Sequence, residues 1–176
     1  MASPIGHAAV GIAAAAVVAR TIDVPGTPAL WVGAFIASGV PDLDLGVVLL
    51  GLKGPRFHRS FSHSLLLLSA LIGAMWFVVA GIPSIGSGVF GAWAAALLSH
   101  PLLDVATTGP QGAARGYGIP LFWPLSRKRW YLQRPILETA EFEACRSVHD
   151  VWDGVQPEVV RIVPVALAVL LAAMIF

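Results

Sequence analysis

The sequence predicts an all-α fold, a polytopic membrane helical bundle of about five short transmembrane helices with a cytoplasmic interfacial segment and an amphipathic helix. Three observations predict it. The 176 residues are 57% hydrophobic and only 12% charged, about half the charged share of a soluble domain. A soluble domain of this size exposes too much surface to hide so much apolar material. Residues 64–103 and 162–176 carry no charged side chain, whereas residues 115–161 are rich in both signs.

The chain is expected to form one membrane-embedded domain over residues 1–176, in which residues 115–160 are the cytoplasmic or interfacial polar segment. A disulfide-stapled secreted module is excluded because Cys145 is the only cysteine. The net charge of +1 argues against a nucleic-acid binder. The lipid bilayer is therefore the predicted environment.

The later apolar stretches define three of the predicted spans. Residues 64–103 form an uncharged run of 40 residues, and one helical span needs roughly 20. Glycines and a proline within residues 81–88 indicate a reversal of direction near the middle. We therefore predict antiparallel spans over 64–82 and 86–104, and a shorter last span over 162–176.

The N-terminal half predicts two further short spans. Residues 4–18 and 29–40 are rich in alanine and glycine, which suit close helix packing, so both are expected in the interior of the bundle. A turn is expected over residues 21–28. A signal peptide is the alternative for the first run, but Arg20 follows that run and no basic residue precedes it. Residues 45–52 are apolar but too short to cross, which predicts a re-entrant or interfacial piece.

Basic residues predict the orientation of the bundle. One cluster precedes the third span and a second follows the fourth, and the positive-inside rule puts both in the cytoplasm. Residues 116–134 are then expected along the cytoplasmic surface of an inner membrane, followed by an amphipathic helix over 136–156. The two clusters are Lys53, Arg56 and Arg59, and Arg115, Arg127, Lys128, Arg129 and Arg134.

Seven ionisable residues occupy the ends of the predicted spans. Because successive spans alternate in direction, all seven fall on the cytoplasmic side of the membrane. Ionisable groups at membrane depth are costly and tend to be functional. These residues are His7, Asp42, Asp44, His58, His63, His100 and Asp104.

The spacing of these residues suits metal binding. His100 and Asp104 are four residues apart and share one face of a helix. Pro41 disfavours a continuing helix, so Asp42 and Asp44 are expected on an irregular segment from which both carboxylates can reach cations. Imidazoles mixed with carboxylates suit zinc or manganese, and also iron, better than calcium or magnesium. Seven candidates exceed the needs of one ion, so the site is expected to hold one or two divalent ions.

Several neighbouring polar residues have simpler explanations. Ser62 is predicted to cap the third helix. Arg59 is either a phosphate ligand or a topology signal. His149 and Asp150 are predicted to be surface residues. Cys145 stands alone, which argues against a catalytic thiol.

Three strings in the middle of the chain carry a family resemblance. Together with His7 and the Pro-Asp-x-Asp motif at 41–44, in the same order, they resemble the YdjM-like membrane-bound metal-dependent hydrolases. The resemblance covers residues 4–132 and implies a metal-dependent hydrolase. The strings are His58-Arg59-Ser60-Phe61-Ser62-His63-Ser64, Ser99-His100-Pro101-Leu102-Leu103-Asp104 followed by Thr107-Thr108-Gly109, and Pro120-Leu121-Phe122-Trp123-Pro124-Leu125-Ser126-Arg127.

These residues predict hydrolysis of a phosphoester in a lipid or lipid-linked substrate through a metal-activated water. His63 is a metal ligand or the general acid, and both roles stay open. Arginines present a bidentate fork to phosphate, so Arg59, Arg127 and Arg129 are the candidates to hold the substrate. The favoured ligands are Asp42, Asp44, His58, His100 and Asp104, with His7 as a sixth.

Two alternatives belong to other functional classes. A metal-ion transporter or sensor would need polar groups near the membrane midplane and access from both sides. A membrane scaffold with a structural metal would have a closed site without a position for water. The substrate, the number of ions and the oligomeric state are left open by the sequence.

Overall fold

The computed structural model describes residues 2–52, 60–82, 85–111, 118–137 and 147–175. In these ranges the chain forms α-helices and short 3-10 turns, and the all-helical prediction is confirmed. A 3-10 turn at Val40–Asp42 follows α2 and another at Phe61–His63 precedes α4. The helices are α1 (Pro4–Thr21), α2 (Pro28–Gly39), α3 (Leu43–Leu49), α4 (Leu65–Val79), α5 (Ser87–Thr107) and α6 (Val148–Ile175).

Four helical segments of the described chain are long and apolar enough to cross a membrane. The fifth predicted span, α4, has only 15 residues, which corresponds to a length of about 22 Å. A bilayer core is about 30 Å thick, so α4 is shorter than that core and shorter than each of the four longer segments. The four longer segments are Pro4–Thr21, Pro28–Val48, Ser87–Thr107 and His149–Ile175.

Helix α1 lies at the centre of the bundle, where it packs against α2, α5 and α6, while α4 packs on α5. Small side chains dominate the contact between α1, α2 and α5, as predicted for an alanine-rich interior. Gly33 permits the closest approach, because a Cβ there would lie 2.1 Å from the Trp93 ring. The Trp93 indole also donates a hydrogen bond to the Leu30 carbonyl (3.1 Å). The buried core consists of Ala15, Ala19, Leu30, Ala34, Val89, Ala92 and Ala96.

Hydroxyl side chains cap the helices that lead into the site. Ser3 caps α1 and Thr27 caps α2 after the predicted turn. The prediction that Ser62 caps the third span is wrong, because the Ser64 hydroxyl accepts from the Leu67 N–H at the start of α4. Residues 61–63 instead form a 3-10 turn, which moves the helix start two residues along the chain.

The C-terminal helix differs from the prediction. Residues 148–175 form one helix, so the division into an amphipathic helix over 136–156 and a short span from 162 is wrong. Pro157 and Pro164 lie inside α6, and prolines are tolerated in membrane helices whose backbone groups are satisfied by neighbours. Residues 138–146, which include Cys145, lie outside the described residues. His149 and Asp150 are exposed as predicted, and His149 pairs with Asp153 (2.9 Å).

Residues 118–137 form a loop that packs on the start of α4. Ile119 and Trp130 exchange two backbone hydrogen bonds of 2.9 and 2.8 Å. The Leu65 N–H donates to the Leu121 carbonyl (2.9 Å), and the Ser64 hydroxyl donates to the Trp123 carbonyl (2.6 Å). The loop is thereby fixed beside the 3-10 turn that carries His63.

Candidate metal centre

Five of the seven predicted ligands meet at one end of the bundle. His7 lies in the first turn of α1, and His100 and Asp104 lie in the last turns of α5. Asp42 ends the 3-10 turn after α2, and His63 ends the 3-10 turn before α4. Four of these side chains are at most 1% exposed, and Asp42 is 12% exposed. Asp42 is therefore the ligand candidate nearest to solvent.

The described residues contain two overlapping groups of donors, and within each group the donor atoms lie within 4.8 Å of one another: His7, Asp42 and His100 form one group, and His63, His100 and Asp104 form the other. The Nε2 atoms of His63 and His100 are 3.2 Å apart. One Asp104 oxygen, Oδ2, lies 3.2 Å from the first and 3.6 Å from the second. The Asp42 Oδ1 atom lies 3.6 Å from His63 Nε2 and 3.3 Å from His100 Nε2.

These separations fit one coordination sphere. Donor atoms held tetrahedrally about 2.1 Å from one zinc ion lie about 3.4 Å apart. The five measured distances among His63, His100, Asp42 and Asp104 run from 3.2 to 3.6 Å. His63, His100 and Asp104 thus supply donor atoms for one ion, and Asp42 lies within the same range of both imidazoles. His7 Nε2 lies against the other Asp104 oxygen, at 3.3 Å, where it adds a fifth donor atom.

The orientation of His100 also suits a ligand. Its Nδ1 atom lies 2.6 Å from the Ser38 carbonyl oxygen, a contact in which Nδ1–H donates and Nε2 keeps a lone pair directed at the cluster. Metal-bound histidines almost always donate their other ring nitrogen in this way. The His7 ring stacks on His100, with centroids 3.5 Å apart. His100 is therefore held in one orientation on both sides.

Asp44 lies behind His63 rather than among the Nε2 atoms. Its Oδ2 atom is 3.9 Å from His63 Nδ1 and accepts a hydrogen bond from the Ser62 hydroxyl. The Ser62 Oγ atom in turn lies 3.0 Å from His63 Nδ1. Asp44 was predicted as a ligand, and the structure places it where it orients His63.

Burial alone would lower the pKa of His63, but the carboxylates of Asp104 and Asp42 outweigh it and raise the pKa to about 9. Two carboxylates close to one imidazole favour its charged form. A divalent cation placed among these atoms would supply the same positive charge. The surroundings of His63 are therefore built for a cation.

Unsatisfied polar atoms support the same conclusion. His7 Nδ1 is buried and has no hydrogen-bond partner among the described residues, and the buried Asp104 oxygens face imidazole nitrogens, Oδ1 at 3.3 Å from His7 Nε2 and Oδ2 at 3.2 Å from His63 Nε2. Buried polar atoms nearly always have such a partner. A cation coordinated by the cluster would satisfy the Asp104 carboxylate, so the donor set fits a metal ion.

The predicted arginines lie apart from the buried cluster. Arg127 and Arg129 line a cavity of about 420 Å³ together with Ser60, Phe61 and Trp123. One Arg129 guanidinium nitrogen donates to the Gly118 carbonyl (2.7 Å), which fixes the position of that side chain. The predicted site residues His58 and Arg59 lie outside the described residues.

Glu158 is a buried carboxylate that the sequence predictions missed. It is 0% exposed, and its two oxygens accept from the Ser3 backbone N–H at 2.7 and 2.8 Å. A Cβ at Gly6 would lie 2.4 Å from Glu158 Oε2, so the glycine makes room for this contact. Glu158 therefore ties α6 to the start of α1, one turn before His7. The sequence did offer a signal for Glu158, because it is a single acidic residue between Pro157 and the apolar end of the chain. Membrane helices rarely carry such a residue without a function.

The fold and the cluster define a class: a helical membrane protein whose buried histidines and aspartates form a candidate metal centre. The YdjM inner membrane protein family matches the chain over residues 1–176. The chain belongs to this family, which confirms the resemblance and the inner-membrane setting.

One relative is the inner membrane protein YbcI of Escherichia coli (strain K12). It is 32% identical over 130 residues, which cover 68% of this chain and 67% of YbcI. No solved structure matches the chain. The names of the family and of this relative state the membrane location and no reaction.

Proposed function

We propose that this protein is a metal-dependent hydrolase that cleaves a phosphoester of a lipid or lipid-linked substrate at the cytoplasmic face of the inner membrane. One observation carries the proposal: the turn that ends in the ligand candidate His63 begins at the wall of a cavity that presents two arginines. Ser60 and Phe61 line the arginine cavity, and His63 follows them by two residues. The charge of the cavity and the donor set suit a phosphate group held beside a metal ion.

A bound divalent ion, zinc, manganese or iron, would lower the pKa of a water molecule and neutralise charge on the ester. His63, His100 and Asp104 would hold it, with Asp42 beside the same two imidazoles. The Nε2 atom of His63 faces these three partners, which favours the ligand role for His63 over the general-acid role. His7, Asp42 and His100 form the other group that could hold an ion.

Arg127 and Arg129 bind the substrate phosphate. Each guanidinium can donate two parallel hydrogen bonds to phosphate oxygens. Arg129 is already fixed by its bond to the Gly118 carbonyl, so it needs little ordering when the substrate binds. Arg59 is proposed for the same role on the strength of the sequence alone.

The test combines metal analysis with a substrate screen. Purified protein is expected to contain one or two transition-metal ions per chain, and to release phosphate or a phosphorylated headgroup from phospholipid vesicles. His100→Ala and Asp42→Ala should lose both the metal and the activity. His149→Ala is the matched control because that histidine is 81% exposed. Metal content unchanged in both variants would refute the proposal.

A structural metal is the second candidate, and one observation favours it. The two groups of donors contain more than four protein ligand candidates between them, and closed structural zinc sites use four protein ligands. Cobalt-substituted protein separates the two candidates by its visible spectrum. Inorganic phosphate should change the spectrum if the metal has an open position, and a spectrum that phosphate leaves unchanged would favour the structural role.

A further inference from the structure

An apolar groove runs between α2, α4 and α5 on the outside of the bundle. Its volume is about 250 Å³. Phe90 and Leu97 form its buried floor, and the exposed side chains of Ile36, Leu71 and Met75 form its rim. An α-helix with its side chains is about 10–12 Å wide, so a groove of only about 250 Å³ suits a single hydrocarbon chain better than a partner helix.

A second cavity, of about 270 Å³, lies between the groove and the arginine cavity. This cavity shares Val40 and Leu71 with the groove and Phe61 with the arginine cavity. Pro41 and Ser62 also line it, and they directly precede the ligand candidates Asp42 and His63. The three cavities therefore lie next to one another in a row, with the arginines at one end and the apolar groove at the other.

We infer that the groove binds an acyl chain of a glycerophospholipid whose phosphate lies between Arg127 and Arg129. The inference rests on the proposed function and deepens it, because it assigns the substrate class and the site of its apolar part. The positive charges of the two arginines attract the negatively charged phosphate of the lipid. The adjacency of the cavities then places the attached chain beside Pro41 and Ser62 and in the groove.

The two arginines are expected to determine which lipid occupies the groove. Transfer of an acyl chain from the bilayer to an apolar groove gains little hydrophobic free energy, because lipid tails are as apolar as the protein. A bulk lipid therefore has no strong preference for the groove. Occupancy by a phosphate-bearing lipid must depend on the contacts of its headgroup, and this dependence is measurable.

Small residues keep the groove open. Ala37 and Ala94 line it, and a leucine at either position would project into the space. Ala94→Leu is therefore the variant that fills the groove while the arginine cavity stays unchanged. Metal content of this variant reports whether the bundle still folds.

The experiment uses the full chain in phosphatidylcholine vesicles that contain a small fraction of phosphatidate with a photoactivatable diazirine in its acyl chain. After irradiation, peptide mass mapping locates the label. Label is expected on the rim residues Leu71 and Met75. Phe77, on the same helix and 84% exposed, measures labelling by bulk lipid.

The variants give the decisive comparison. Arg127→Gln combined with Arg129→Gln, and separately Ala94→Leu, should reduce rim labelling severalfold while labelling at Phe77 stays constant. Lys128→Gln is the matched control for loss of charge, because Lys128 lies over the Trp130 ring (4.4 Å) and outside the cavity lining. Equal labelling of the rim and Phe77 would overturn the inference. So would rim labelling that stays the same when both arginines are replaced.

The outcomes also separate this inference from the proposed function. Arginine-dependent labelling of the rim without hydrolysis of any phospholipid would support the lipid site and reject the hydrolase. Hydrolysis of phospholipid with no preferential labelling of the rim would support the hydrolase and reject the groove.

Discussion

His63 and His100 face each other across 3.2 Å through their Nε2 atoms, although 37 residues separate them in the chain. Each ring is fixed from its far side, His100 by the Ser38 carbonyl and His63 by Ser62. Two imidazole nitrogens that face each other at this distance need a proton or a cation between them, because two lone pairs would repel.

Ser62 and Asp44 are expected to control metal affinity without binding the metal. Ser62→Ala or Asp44→Asn removes the support at His63 Nδ1, and loss of such support typically weakens metal binding about 10- to 100-fold. Competition with a chromophoric chelator measures the affinity. Ser99→Ala is the control, because the Ser99 hydroxyl donates within its own helix to the Ala96 carbonyl (2.7 Å). An affinity unchanged in both variants would contradict the role given to Asp44.

Metal affinity is expected to rise with pH until about pH 9. The carboxylates of Asp104 and Asp42 raise the pKa of His63 to about 9 in the metal-free protein, so its ring carries a proton at neutral pH. Metal must displace this proton, and the competition disappears as the pH rises through the pKa. Apparent affinity should therefore increase about tenfold per pH unit for each proton released, as measured by metal titration from pH 7 to 10. A flat profile would show that His63 is already neutral.

Glu158 is expected to stabilise the bundle through its contact with Ser3. Glu158→Ala leaves the buried Ser3 N–H and hydroxyl without their acceptor, and each unsatisfied group costs about 1–3 kcal/mol. Thermal unfolding in detergent measures the loss. Glu158→Gln keeps one acceptor oxygen and should lose less. Asp153→Asn, at a position 58% exposed, should change stability by less than about 0.5 kcal/mol.

Gly33 and Gly73 form a matched pair for a packing test. A Cβ at Gly33 would overlap the Trp93 ring at 2.1 Å, whereas no atom lies within 4 Å of a Cβ at Gly73. Gly33→Ala should destabilise the protein by about 1–3 kcal/mol through overpacking. Gly73→Ala should be neutral or stabilise by up to about 1 kcal/mol through helix propensity. Equal unfolding temperatures for the two variants would contradict the packing described for Trp93.

The membrane helices could be predicted because the composition of a whole segment determines whether it can lie in lipid. The uncharged run at 64–103 was long enough for two helices, and alternation of direction put His7 at the same end of the bundle as His100 and Asp104. The pair at 100 and 104 was placed on one helix face by its spacing alone. These inferences depend only on helix geometry and on the exclusion of charge from lipid.

Other features depend on contacts between distant residues. Ser62 and Ser64 are both good caps by type, and only the 3-10 turn at 61–63 decides that Ser64 caps α4. Asp42 and Asp44 are equivalent in the sequence, but the turn of the chain directs them to opposite ring nitrogens of His63. The sequence predicted that the polar helix ends at residue 156 and that the last span begins at 162, since charged residues continue up to Arg161. In the structure one helix runs through Pro157, because contacts with neighbouring helices stabilise it.

The short helix α4 is expected to change the thickness of the membrane around it. A helix of about 22 Å in a hydrocarbon core of about 30 Å favours local thinning of the bilayer around it. Phospholipid headgroups beside α4 would then lie several ångströms deeper than elsewhere. The capped start of α4 adjoins His63, so the protein is expected to draw the polar surface of the membrane down to the depth of the buried ligands, which shortens the path between a lipid and the centre.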